Sequence, residues 1–168
     1  MPVDFFKDNC KTTSNFAEFG LCDDPHPNQE PAYIDETEED KWIGLVDNSL
    51  RKMISFYAID NCIHLVKPDG TDAKVCDGLL YFDNCLIFVE LKSRRMKGSA
   101  WLKNGRSQLK STINEFKSNN DISTYQKVEA YVCNSLKPNF NQGHSVQIQK
   151  FKDETGGLIL RVQQRILI

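Results

Sequence analysis

The stretch VCDGLLYFDNCLIFVELKSRR, residues 75–95, constrains this chain more than any other. Two apolar runs flank Asp83-Asn84, a pair suited to a two-residue hairpin loop. Counting outward from Phe82 paired with Cys85 sets Asp77 directly opposite Glu90. Like charges facing each other across a ladder are destabilising, and a carboxylate that ends the run LIFV is costly to bury without a partner. Lys92 shares the side-chain parity of Glu90, so an ammonium joins the two acids on one face. Paired carboxylates that accept a hard divalent cation, with a lysine alongside to handle water or developing charge, form a workable phosphodiesterase centre. A purely structural ion cluster is the alternative, since buried charges persist when they are paired.

The elements around the hairpin are read from periodicity. From Thr37 the residues Trp42, Ile43, Leu45, Val46, Leu50, Met53, Ile54 and Tyr57 recur at three and four positions, predicting a helix, with Thr37 and Asp40 as its capping box. Runs at 62–67, 74–82 and 85–93 predict three successive strands, the first ending at the turn Pro68-Asp69-Gly70. Residues 99–117 return to a helical period through Leu102, Leu109, Ile113 and Phe116, and 128–133 predicts a further strand. Beyond the loop 134–143, the runs 146–151 and 158–168 flank DETGG and predict a terminal hairpin. The expected fold is thus α/β (α+β), a mixed β-sheet flanked by helices in the order helix, three strands, helix, strand. Residues 1–36, broken by Pro2, Pro25, Pro27 and Pro31, are read as an irregular arm or cap. Residues 37–133 form the core, and 134–168 pack on it. At 168 residues the chain suits one domain.

Asp77, twelve intervening residues, then Glu90-Leu91-Lys92 resembles the signature of the PD-(D/E)xK nuclease superfamily, which includes restriction endonucleases, Holliday junction resolvases and RecB-type exonucleases. Val75-Cys76 stand where the name has a proline. The predicted element order over 37–133 matches the core of that superfamily, a restriction endonuclease-like fold. The resemblance implies that Asp77, Glu90 and the backbone carbonyl of Leu91 bind Mg²⁺ or Mn²⁺, and that Lys92 positions or activates the attacking water. It further implies an acid from the first helix, for which Glu39 is the candidate, and a glutamine on the second helix, Gln108. Members with that glutamine usually carry a tyrosine four residues later, where this chain has Thr112. The chain looks like the small restriction- or defence-type nucleases of bacteria.

Charge is uneven along the chain. Residues 1–47 hold three lysines against twelve acids, whereas 92–117 hold eight Lys and Arg against Glu115 alone. Arg94, Arg95, Lys97, Lys103, Arg106 and Lys110 are therefore the candidate phosphate contacts, with a solvated helix face as the plain alternative. The expected partner is DNA, with RNA as the second choice. The apolar ending LILRVQQRILI either completes the core or offers a homodimer interface.

Other chemistries find no support. Cys10, Cys22 and His26 lack the spacing and the fourth ligand of a zinc finger. His64 and His144 have no Ser or Cys partner, and Gly156-Gly157 lies in a turn without a phosphate-loop Lys, so no nucleotide cofactor is expected. The six cysteines are sparse, and Cys62, Cys76, Cys85 and Cys133 lie in apolar runs where reduced thiols pack well, so a disulfide framework is not expected. With no apolar run of membrane-spanning length and no signal-like amino terminus, a cytoplasmic location is expected.

Overall fold

The computed structural model describes residues 2–25, 27–93, 100–136 and 142–168, at 142 and 143 the backbone only. The hairpin forms in the expected register. β6 (Gly78–Phe82) and β7 (Cys85–Lys92) pair antiparallel from Phe82↔Cys85 to Gly78↔Val89. Its loop residues Asp83 and Asn84 take φ of 43° and 59°, the left-handed conformation that a tight hairpin loop requires and that Asp and Asn tolerate.

β5 (Ile54–Ala58) extends the hairpin to an antiparallel meander. α1 (Ala100–Asn119) then carries the chain to β8 (Lys127–Asn134), parallel to β7. α2 (Gln142–Glu154) leads to β9 (Ile159–Val162), parallel to β8. With β1 (Lys11–Ser14) on β5, the larger sheet has the order β1-β5-β6-β7-β8-β9. β6 and β7 are buried along nearly their whole length, which is why both read as continuous apolar runs. A second, four-stranded sheet joins β2 (Glu18–Cys22), β3 (Tyr33–Asp35), β4 (Gly44–Asp47) and β10 (Arg165–Leu167) in the order β10-β4-β2-β3. Both sheets are mixed, and the class is α+β. Phe19, Leu21, Val46 and Ile166 of the small sheet are fully buried in the same core as Leu79, Leu80, Ile87 and Val89.

The two strands of the hairpin, α1 and β8 form where expected; the opening helix does not, and the strand before the hairpin is β5 at 54–58, inside the segment expected to be that helix, rather than 62–67. Residues 37–57 instead make a 3-10 turn (Glu39–Lys41), β4 and the start of β5. Asn48 explains the break. Fully buried, its side chain donates to Phe16 O and Lys52 O at 2.9 Å and accepts from Lys52 N at 3.0 Å, closing a turn in which Arg51 has φ 51°. Leu50 and Met53, counted toward a helical core face, are exposed in that turn.

Three other expectations need correction. Residues 1–36 are not an irregular arm but supply β1, β2 and β3, strands too short to show a period. No strand forms at 62–67, where Cys62 N and Ile63 N both donate to Ile59 O, and Cys62 forms a disulfide with Cys10 while the other four cysteines are free and buried. The terminal hairpin is replaced by α2 and by β9 and β10, which join different sheets. The buried face of α2 is His144, Gln147 and Phe151, continued by Thr155, a helical spacing made mostly of polar residues that an apolar count cannot see. Gly156 and Gly157, with φ 73° and 107°, end the helix, and Gly157 N returns to Lys152 O at 2.8 Å. Among the described residues, no helix is long and apolar enough to cross a membrane.

Candidate active site

Asp77 lies one residue before β6, where the ladder has ended, so its side chain rather than its backbone meets β7. Its Oδ2 accepts the Leu91 N–H at 2.6 Å, and its carbonyl accepts Ile59 N–H at 2.8 Å. In a strand a residue's N–H and C=O leave on the same edge, so the Leu91 carbonyl also faces the Asp77 side of β7. Glu90 and Lys92, two apart on β7, stand on one face, with Lys92 Nζ 2.8 Å from Glu90 Oε1. Asp77 and Glu90 are only 6% and 2% exposed.

α1 covers this pair and fixes what precedes it. Gly105 permits the approach, since a Cβ there would stand 3.2 Å from Val132 and 3.4 Å from Glu90. Gln108 Oε1 accepts from Lys92 Nζ at 3.0 Å, and Gln108 Nε2 donates to Val75 O at 3.1 Å. One turn later Thr112, fully buried, accepts the Cys76 N–H at 2.8 Å and donates to Gln108 O at 2.9 Å. Gln108 and Thr112 thus satisfy the C=O and the N–H of the single Val75–Cys76 peptide group just ahead of Asp77, which lies outside the sheet. Thr112, where a tyrosine was the usual residue, serves this local purpose.

Asp77, Glu90, Leu91, Lys92 and Gln108 line one cleft of about 630 Å³. The small sheet forms its other wall. A Cβ at Gly20 would lie 1.9 Å from the Trp42 ring, so glycine there lets the indole lie on β2, where its Nε1 donates to Asp35 Oδ2 at 2.9 Å. Trp42, Asp40, Lys41 and, just past β2, Asp23 and Asp24 complete that wall, and Asp60 enters from the end of β5. A depression of about 360 Å³ adjoins it past Lys92 and Gln108, lined also by Lys74 and Asn104.

Such a concentration of acids raises their proton affinities. Burial, then the Glu90 and Asp23 carboxylates, hold Asp77 well above the ordinary range, against the pull of Leu91 N–H and Lys92. Burial pushes Glu90 up to about 7, with Lys92 opposing and Asp60 adding. Asp23 rises to about 6 through burial and the neighbouring Asp60 and Asp24. A carboxyl whose folded pKa exceeds its unfolded value binds its proton more tightly when folded. The stabilising effect is complete below the unfolded pKa near 4.5 and is lost as pH rises through about 7. Without divalent ions, the melting temperature is therefore expected to fall between pH 4.5 and 7, and Glu90→Gln to flatten that fall. A wild-type melting temperature that rises over this window would contradict the buried, proton-holding pair.

Glu90 Oε2 is buried with no hydrogen-bond partner among the described residues. An unpaired carboxylate oxygen beside a second carboxylate and a backbone carbonyl is a hard oxygen donor set of the kind Mg²⁺ and Mn²⁺ take. The residues fit such an ion. Among the described residues no three His, Cys, Asp or Glu side chains converge on one point, so the ion would keep several waters, as Mg²⁺ commonly does.

The remaining candidates divide. Glu39 is exposed on its 3-10 turn and does not line the cleft, because the helix meant to carry it is absent. Arg106 is not a phosphate contact. It is 8% exposed, its Nε donates to Gln147 Oε1 at 2.7 Å, and its guanidinium pairs with Glu154, tying α1 to α2. Arg106→Ala is expected to lower unfolding stability by about 3 kcal/mol, as a part-buried partner is stranded, without changing the salt slope of nucleic-acid binding. Denaturant melts and a salt titration check both halves. Lys110 is half-buried, 3.8 Å from Glu154, and Lys103 is exposed. Arg94, Arg95 and Lys97 lie outside the described residues. Sequence reasoning missed Asp23, Asp24 and Asp60, since no motif marks them and only the pairing of β2 and β5 into their sheets delivers them. No family model, curated protein or solved structure matches the chain.

Proposed function

We propose that the protein is a divalent-metal-dependent endonuclease that hydrolyses phosphodiester bonds in DNA. One observation carries the reading: Asp77, Glu90 and Lys92 line one cleft, Glu90 and Lys92 paired on one face of β7, with a buried Glu90 oxygen left unpaired. The PD-(D/E)xK resemblance and the strand-strand-strand-helix-strand succession support it.

Asp77, Glu90 and the Leu91 carbonyl would hold Mg²⁺ or Mn²⁺, which supplies Lewis-acid polarisation of a phosphate oxygen and a lowered pKa for attacking water. Lys92 is placed to orient that water. An ammonium has three donors; Glu90 and Gln108 engage two, and Lys92 lines the cleft where the third is usable. Gln108 is a positioning residue, anchoring Lys92 to the Val75 carbonyl. The protein's acids repel a polyanion, so entry depends on cations: Lys74 in the adjoining depression, exposed Lys103 on α1, and Arg94, Arg95 and Lys97, which follow β7 in sequence and lie outside the described residues.

Incubation with plasmid, linear duplex, single-stranded DNA and RNA, each with Mg²⁺, Mn²⁺ or EDTA, tests the proposal. DNA cleavage that EDTA abolishes is expected; cleavage of RNA alone transfers the site to RNA, and cleavage of nothing leaves a binding module. Neutralising Arg94, Arg95 and Lys103 together is expected to weaken binding and flatten its salt dependence. Unchanged affinity in that triple variant would return these charges to solvated surface. A homodimer, which would cut both strands in one encounter, and a cytoplasmic setting belong to the same proposal. The Cys10–Cys62 bridge argues against that cytoplasmic setting, where thiols are normally kept reduced.

A further inference from the structure

The cleft holds more negative charge than the hairpin motif accounts for. Beyond Asp77 and Glu90, Asp60 arrives from the end of β5, next to Ile59 whose N–H is bonded to the Asp77 carbonyl at 2.8 Å. It also lines the adjoining depression together with Lys92 and Gln108. Asp23 arrives from the other sheet, directly after β2. The cations that line the cleft, Lys41 and Lys92, are already paired, with Glu38 at 2.6 Å and Glu90 at 2.8 Å. The uncompensated charge is matched by the unpartnered Oε2 of Glu90, a residue 2% exposed and lining the same cleft.

We infer that Asp60 and Asp23 complete the cation site of Asp77 and Glu90, accepting hydrogen bonds from the water ligands of the ion rather than contacting it. The inference rests on the proposed cation at that pair, and it assigns to two strand ends the supplementary acid that Glu39 does not provide. Its physical basis is that a small hard cation bound by few protein oxygens keeps several waters. Those waters need acceptors held by the fold, and outer acceptors of this kind tune affinity strongly. Two carboxylates from different sheets also make ion binding report on the docking of the small sheet against the large one.

The test is calorimetric titration of the full chain with Mn²⁺ alone at pH 7.5, for wild type, Asp60→Asn, Asp23→Asn and Glu39→Gln. Circular dichroism melts of each apo-protein show that the variants fold; relief of repulsion is expected to leave the two Asn variants at least as stable as wild type. Each Asn substitution is expected to weaken Mn²⁺ binding by roughly 10–100-fold, and Glu39→Gln to leave it unchanged. Equal Mn²⁺ affinity in wild type and both Asn variants overturns the inference, as does a wild type that binds no Mn²⁺. Weakened Mn²⁺ binding in the Asn variants of a protein that cuts no nucleic acid would sustain this inference while sinking the nuclease proposal. Cleavage that needs Asp77 and Lys92 but Mn²⁺ binding indifferent to Asp23 and Asp60 would do the reverse.

Discussion

Lys92→Ala is expected to slow phosphodiester cleavage by about 10²–10⁴-fold, the range over which a positioned proton-handling group contributes, while cation binding survives. The side chain is tightly held, with Nζ 2.8 Å from Glu90 Oε1 and 3.0 Å from Gln108 Oε1, at the edge of the cleft. Truncation leaves both proposed ligand carboxylates in place and removes a competing positive charge, so Mn²⁺ affinity should hold or rise. It also strands Glu90, whose remaining oxygen has no partner among the described residues. The ion-free variant should therefore melt lower than wild type above pH 7, and Mg²⁺ should raise its melting temperature by more than it raises that of wild type. Initial rates, calorimetry and melts on one preparation separate these effects. A variant that cuts within a few-fold of the wild-type rate would remove Lys92 from the chemistry.

Asp77→Asn is expected to move stability and function in opposite directions. The amide keeps an oxygen for the Leu91 N–H, so the short contact that closes the hairpin base can persist. What disappears is a carboxyl whose ionised form is disfavoured by burial and then by Glu90 and Asp23, which hold its pKa well above the ordinary range. The ion-free variant should be at least as stable as wild type at pH 8. Cation binding should weaken by about 100-fold, the upper end of what even outer partners of a metal contribute, and cleavage should fall to background. Melting curves with and without Mg²⁺ read both signs. Were Asp77→Asn less stable than wild type in EDTA, and wild type indifferent to Mg²⁺, the triad would be a structural ion cluster.

The part of the site legible in the sequence is the part written in one local element. Register follows from a two-residue loop, and parity then puts Glu90 and Lys92 on one face without any knowledge of the rest. The ladder, however, ends at Gly78↔Val89, short of the expected Asp77–Glu90 pair, and Asp77 meets β7 through its carboxylate on Leu91 N–H. Gln108 entered through the family likeness, and α1 brings it to Lys92 by packing Gly105 on Glu90. The errors come from places where a buried polar residue decides the chain's path. Asn48 breaks the run 37–57 into strands, and His144 and Gln147 hide the inner face of α2 from an apolar count. Asp23 and Asp60 were illegible for a different reason, since their meeting depends on two sheets docking, a long-range event that no periodicity records.

The decisive measurement for a metal-dependent nuclease is side-by-side cleavage of an end-labelled DNA duplex by wild type, Asp77→Asn and Lys92→Ala, purified identically, in Mg²⁺ and in EDTA. Cutting by wild type is expected in Mg²⁺ and none in EDTA, with loss in both variants while their folds and melting behaviour remain cooperative. Equal cutting by all three proteins, or none by wild type on any DNA, would contradict the DNA-nuclease reading.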